Sequence, residues 1–135
     1  RKKMLTKRRV IIAGSRDCPS DSQVLYGLLA KILSNPIGTV PQSIEVVSGG
    51  ARGADLLGEN FAQAFGLTCL KVVARWDLHG KKAGYLRNIE MAELENVREL
   101  IVLWDGVSKG SKHMIDIALS RGIKTTVLFY GDYEC

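Results

Sequence analysis

Cysteine, proline and aromatic residues are all scarce in this chain of 135 residues. The three cysteines, Cys18, Cys69 and Cys135, are odd in number and far apart, with no CxxC or Cys/His spacing. A disulfide framework or zinc site is therefore not expected, and a reducing cytoplasm is the natural compartment. No apolar run comes near the roughly 20 residues needed to span a bilayer, so no membrane association is expected. The basic start leads into no apolar segment with a small-residue cleavage site, so no secretory signal is expected. Two nucleotide signatures are also missing: GxxxxGK[ST] and GxGxxG. Their absence argues against routine ATPase or dehydrogenase chemistry.

Acidic residues are absent from the first nine positions, where Arg1, Lys2, Lys3, Lys7, Arg8 and Arg9 supply six positive charges. Without those six the net charge falls from +5 to −1. Residues 1–9 are expected to form a solvated, disordered basic tail, and residues 10–135 a single domain. Such a tail can touch nucleic acid through its phosphates. The near-neutral body gives that partner no further support. At 46% hydrophobic and 24% charged residues, the chain has the composition of a globular domain long enough to build a core.

What is present is a regular alternation of apolar strands and amphipathic helices. Arg9–Ala13 reads as the first strand. Asp21 or Ser22 can cap a first helix with apolar residues at Val24, Leu25, Leu28, Leu29, Ile32 and Leu33. Ile44–Val47 is the second strand. A second helix carries Ala54, Leu57, Phe61, Ala62 and Phe65 on one face and stops at Gly66. Cys69–Val73 is the third strand, followed by a polar loop from Arg75 to Gly84. A third helix is expected from about Tyr85 to Val97. Leu100–Trp104 is the fourth strand. A fourth helix buries Met114, Ile115, Ala118 and Leu119, and Thr125–Tyr130 is the last strand. Continuous apolar strands indicate a sheet covered on both faces. Right-handed crossovers then give an α/β fold: one doubly wound parallel sheet of about five strands with helices on both faces.

In such a sheet, ligands bind beyond the carboxyl ends of the strands. The segment Ser48 to Asp55 is the clearest of these strand ends. Gly49, Gly50 and Gly53 surround Ala51 and Arg52, and a helix begins at once. Strand, glycine turn and helix N-terminus together can hold a phosphate; a tight turn without ligand is the plainer reading. Around it stand Gly14-Ser15-Arg16-Asp17, Trp76-Asp77-Leu78-His79-Gly80, Gly84 with Arg87 and Asn88, Trp104-Asp105-Gly106 and Lys109-Gly110-Ser111. Their convergence on one sheet edge argues for a pocket.

Each residue also has a structural role open to it. Arg16 and Asp17 can pair with each other, or Arg16 can grip a phosphate. Asp55 suits the first turn of a helix and also a ribose hydroxyl. Trp76 can lie in the core or stack on a base. His79 can contact a ligand or act as acid or base, or stand in solvent. His113, inside a helix, is expected to be structural. The candidate acid/base or nucleophilic groups are Asp55, Asp77, His79 and Asp105. No metal site or required cofactor is expected.

Taken together, these motifs resemble the SLOG superfamily, the SMF/DprA–LOG group of Rossmann-like domains, and within it the YspA-like branch. Gly14–Asp17, Ser48–Asp55 and the run from Trp76 through Arg87, Asn88 and Met91 carry the resemblance, and Lys109-Gly110-Ser111 is similar to the family's final Gly-Thr turn. The likeness spans Val10 to about Phe129. It implies a Rossmann-like sheet and a pocket for a nucleotide or nucleotide-derived ligand. LOG relatives cleave the N-glycosidic bond of nucleoside monophosphates with an arginine and a glutamate. Met114 stands where that glutamate would, and Val107-Ser108-Lys109 replaces the preceding Pro-Gly-Gly, so LOG chemistry by LOG residues is not implied. DprA relatives bind single-stranded DNA. Three functions follow in order of preference. The first is binding of a nucleotide or ADP-ribose-like ligand through the Gly49–Gly53 loop. The second is a nucleotide N-glycosidic hydrolase or transferase, and the third is nucleic-acid binding. Homo-oligomers are common among related folds, and the oligomeric state stays open.

Overall fold

The computed structural model describes residues 7–133. Five parallel strands run β1 (Arg8–Gly14), β2 (Ile44–Ser48), β3 (Thr68–Lys71), β4 (Val97–Trp104) and β5 (Lys124–Phe129), in the order β3-β2-β1-β4-β5. Five helices connect them: α1 (Gln23–Leu33), α2 (Ala54–Ala64), the single turn α3 (Trp76–His79), α4 (Ala83–Ala92) and α5 (Lys109–Ser120). The chain winds from β1 out to β3 and then crosses back to β4 on the other side of β1. The winding reverses between β1 and β4, and the carboxyl end of β1 lies in the crevice this creates.

Alternation of side chains about the central strand divides the core into two layers. Val10 and Ile12 pack with Leu25, Leu29, Leu57 and Phe61 of α1 and α2. Ile11 and Ala13 pack on the other face with Met91 of α4 and Met114 and Ala118 of α5. Full burial of each large side chain contributes roughly 1.5–3 kcal/mol. The register is set by pairs such as Val10 with Val46 and Ile12 with Ile101. Both faces of β1 are therefore apolar, as its uninterrupted Val-Ile-Ile-Ala run requires.

Some local expectations need correction. Residues 1–6 of the expected tail lie outside the described residues, whereas Arg8 and Arg9 belong to β1. Arg9 is held there by a 2.9 Å ion pair to Glu45 and a 3.0 Å hydrogen bond to the Glu95 carbonyl. The expected loop Arg75–Gly84 is largely helical. The His79 N–H donates to the Arg75 carbonyl (2.9 Å), and residues 80–82 form a 3₁₀ turn leading into α4. The third helix ends at Ala92, five residues before Val97. Asn96 turns the chain with a φ of 61°, and Val97 pairs with Arg9 in β4. Leu119 is 61% exposed and Val24 48% exposed, because the buried stripes of their helices are narrower than the apolar pattern. No helix among the described residues is long and apolar enough to cross a membrane.

Candidate functional site

A cleft of about 440 Å³ opens above the carboxyl end of β1, between the loops after β1, β2 and β4 and the N-terminal half of α4. That volume lies within the roughly 300–1,000 Å³ of small-molecule sites. Ala13, Met91 and Met114 give it an apolar floor, and polar groups form its walls.

Ser15 joins three of the loops. Its N–H continues the sheet by donating to the Leu103 carbonyl (2.9 Å), and its carbonyl accepts the Ala54 N–H at the start of α2 (3.1 Å). Its hydroxyl accepts the Asp105 N–H (2.9 Å) and lies 3.0 Å from the Ser108 hydroxyl. Ser15 is buried, so these bonds hold the loop after β1 firmly between its neighbours. The next residue, Arg16, projects to the rim, where its guanidinium lies 5.8 Å from the centre of the Trp76 ring. Asp17 pairs with Arg52 at 3.8 Å rather than with Arg16, and both partners are exposed.

The glycine-rich turn is shaped by packing. Gly53 has a φ of 77°, and a Cβ there would strike the carbonyl oxygens of Ser15 and Arg16. A Cβ on Gly49 would press on the Arg87 guanidinium and come within 2.7 Å of Asp55 Oδ2. Only glycine admits those approaches. Several of the turn's N–H groups already have protein acceptors: Gly50 donates to Ser48 Oγ (3.1 Å), Ala51 to Asp55 Oδ2 (3.1 Å) and Ala54 to Ser15. Ser48 in turn donates to Glu59 of α2 at 2.6 Å. Asp55 thus sits where an anion would meet the positive end of α2.

Asp55 and Arg87 form the inner wall. Asp55 Oδ2 lies 4.0 Å from Arg87 Nη1, and the side chains are 7% and 13% exposed. Arg87 Nη1 also donates to the Gly49 carbonyl. Burial drives the Asp55 carboxyl above the usual range, against the opposing pull of the Ala51 N–H and of Arg87. Burial likewise lowers Arg87, with Asp55 acting against it. Asp105 shows the reverse. It is exposed, and the N–H groups of Ser108 (2.8 Å) and Val107 (2.9 Å) on Oδ1 hold its carboxyl below the usual range. One cleft therefore contains two carboxyl groups shifted in opposite directions, Asp55 upward by burial and Asp105 downward by hydrogen bonds.

The opposite wall is the start of α5. Ser108 occupies the N-cap position, and its backbone carbonyl accepts the Trp104 indole N–H (3.0 Å). Its hydroxyl donates to Ser111 Oγ (3.1 Å). Ser15, Ser108 and Ser111 thereby form a linked group of hydroxyls on the cleft wall, beside Gly110.

Of the residues picked out in sequence, Gly14, Ser15, Arg16, Ala51, Arg52, Asp55, Trp76, Gly84, Arg87, Asn88, Asp105, Gly110 and Ser111 line the cleft. Gly49, Gly50 and Gly53 lie behind its wall. Asp77 and His79 are exposed and do not line it, Asp77 being paired with Arg75 at 3.5 Å. The segment expected to be a loop is the helical turn α3, of which only Trp76 lines the cleft. Lys81, Tyr85 and Ser108 line the cleft without having been singled out. Ser108 carried a signal, since serine favours N-cap positions. Among the described residues no group of three or more His, Cys, Asp or Glu side chains is placed to hold a metal ion.

The family model described as YspA, cpYpsA-related SLOG matches residues 8–79, from β1 through α3. The chain is also similar to the Gene 61 protein of Mycobacterium phage D29. The two are 37% identical over 130 residues, which cover 93% of this chain and 98% of that protein. No solved structure matches.

Proposed function

The chain belongs to the YspA, cpYpsA-related SLOG family, which suggests a nucleotide-related function, and from that premise we propose that its cleft binds a nucleotide or nucleotide-derived, ADP-ribose-like ligand. The observation that carries this reading is the lining of the cleft itself. Four cations, Arg16, Arg52, Lys81 and Arg87, surround a space that also offers Trp76, Tyr85 and the three serine hydroxyls. Arginine suits bidentate phosphate recognition, half-exposed aromatic rings suit stacking on a base, and serine hydroxyls suit ribose. The phosphate of such a ligand would meet the Ala51–Arg52 edge of the glycine-rich loop, with the first turn of α5 across from it.

A second reading is N-glycosidic cleavage of a nucleotide. It is favoured by the opposite directions in which burial shifts Asp55 and backbone N–H groups shift Asp105 in one cleft, the pattern that separates a general acid from a base or stabilising carboxylate. Water would add to the ribose carbon as its bond to the base breaks, with Asp55 giving a proton to the leaving base and the Asp105 carboxylate opposing the positive charge that develops on the sugar.

The deciding experiment is mass spectrometry of small molecules released from the denatured protein, followed by calorimetric titration with AMP and ADP-ribose. A stoichiometric nucleotide-like ligand, with binding abolished in Arg87→Met, supports the binding reading. Release of free base or ribose phosphate from added AMP, lost in Asp55→Asn, moves hydrolysis to the front. An empty protein that binds neither compound, or binding indifferent to Arg87→Met, overturns the proposal.

A further inference from the structure

We propose that His113 is a positioning residue for the cleft: through the Asn88 amide it sets the direction of Arg87 and ties α4 to the first turn of α5. This rests on the binding reading above and assigns a regulation to the same site. Asn88 is buried at 5% exposure, and all of its polar capacity that the structure pairs is directed. Its Nδ2 donates to the Gly110 carbonyl (3.1 Å) and lies 3.2 Å from His113 Nδ1. Its Oδ1 accepts the Arg87 Nε–H at 3.2 Å. Turning the amide over would set its oxygen against the Gly110 carbonyl and its NH₂ against the Arg87 N–H. The observed orientation is the one that satisfies both neighbours.

That orientation makes a demand on His113. With one Asn88 hydrogen on Gly110 and the other aimed at the imidazole, Nδ1 must be a bare acceptor, so the ring is neutral and carries its proton on Nε2. Protonation turns Nδ1 into a donor facing a donor, and no orientation of the amide then satisfies His113, Gly110 and Arg87 together. Arg87 loses its Asn88 support, and α5 loses its link to α4 at the turn that lines the cleft.

The groups around the imidazole are compatible with a neutral ring. From α4, Tyr85 meets it edge-on at 4.6 Å, and Arg87 lies beyond Asn88. On α5 itself are Lys109, Lys112 and Asp116, with Lys112 paired to Asp116 at 3.0 Å. The sheet beneath contributes apolar side chains, Ile11, Ala13, Leu100 and Val102. Burial lowers the imidazole's affinity for a proton, and Asp116 opposes this.

The test has two parts. In ligand-free protein, nuclear magnetic resonance follows the His113 ring, the Asn88 NH₂ and the Arg87 Nε–H from pH 8 to pH 5. The expected result is that the Asn88 and Arg87 signals shift with the His113 titration and that this component vanishes in His113→Asn, while any step that Arg87 takes from Asp55, 4.0 Å away, is common to both proteins. Asparagine there keeps an acceptor near the place of Nδ1 but does not titrate. Asn88 and Arg87 signals that ignore the His113 titration overturn the proposal. In the second part, ADP-ribose is titrated at pH 7.5 and pH 5.5. Wild type is expected to weaken several-fold at the lower pH, less than the roughly tenfold of a full hydrogen bond because burial lowers the imidazole's affinity for a proton, while His113→Asn loses this dependence. Identical pH dependence in the two proteins also overturns it. If ADP-ribose binds neither protein, the binding reading has failed, and the ligand-free spectra still decide the role of His113.

Discussion

The inner wall of the cleft and its rim are built on opposite terms. Asp55 and Arg87 on the inner wall have side chains at most 13% exposed, and their partners include backbone groups of the glycine turn. Arg52 and Asp17 on the rim are 71% and 84% exposed, and Trp76 is 49% exposed. Electrostatic interactions gain strength as water is removed, and so does the cost of a missing partner. Changes on the inner wall should therefore register in folding first, and changes on the rim in ligand affinity alone.

The largest effect should come from Gly53→Ala. The substitution places a Cβ at a φ of 77° against the carbonyls of Ser15 and Arg16. The conformational penalty and the clash together predict a loss of about 3 kcal/mol, measured by urea denaturation. A loss below 1 kcal/mol would show that the turn relaxes freely and that the inner wall is not rigid. Asp55→Ala comes next. It leaves the Ala51 N–H without its acceptor and Arg87 without its buried carboxylate, and should cost about 2 kcal/mol.

Asp55→Asn sharpens the comparison through pH. The folded carboxyl is raised above its usual value, mainly by burial. The native state then holds this proton more tightly than the unfolded state does. The stability contributed is fully present below the unfolded value near 3.9 and is lost as pH rises through the raised folded value. Wild type should accordingly lose stability relative to Asp55→Asn over that rise. Parallel stability curves for the two proteins would mean that Asp55 is not desolvated in the way its burial implies.

Much of this contrast was legible in sequence, but unevenly. The apolar runs within β1, β2 and β4 read clearly because both sheet faces are covered, whereas the polar start of β4, Arg98 and Glu99, does not read as strand. The glycine turn read clearly because positive φ and close approach leave a compositional mark. What was hidden depends on partners far along the chain. Ser108 matters because its hydroxyl meets Ser15, 93 residues earlier. Asn88 stands out in sequence, but its bonds to Gly110 and His113 do not, because they exist only where α4 and α5 pack together. Arg75–Gly84 reads as a loop, since its charges and Gly80 mask two short helical turns, and a loop would carry Asp77 and His79 toward a cleft they do not line. The end of the third helix is hidden because Val97 fits a helix stripe and a strand equally well.

On the rim, Trp76→Ala should leave stability within about 1 kcal/mol of wild type, since half of the ring is already in water. If the ring stacks on a base, affinity for ADP-ribose should fall roughly tenfold, in line with about 1–3 kcal/mol per stacked base. An unchanged affinity would remove stacking from the proposed function while leaving the inner wall untouched.

Arg52→Ala should give the smallest effect. Its contact with Asp17 is long and solvated, and such pairs contribute little to folding, so the melting temperature should not move measurably. Its cation nevertheless lines the cleft, close enough to act on an anionic ligand through screened attraction. The expected signature is a modest loss of ADP-ribose affinity at low ionic strength that fades as salt is added, because screening shortens the reach of exposed charges. Arg87→Met should behave differently. Its side chain is 13% exposed, so its effect on affinity should persist at high salt. Equal salt sensitivity in the two variants would show that ligand charge is met at the rim alone, and the division between a desolvated inner wall and a solvated rim would then have no bearing on binding.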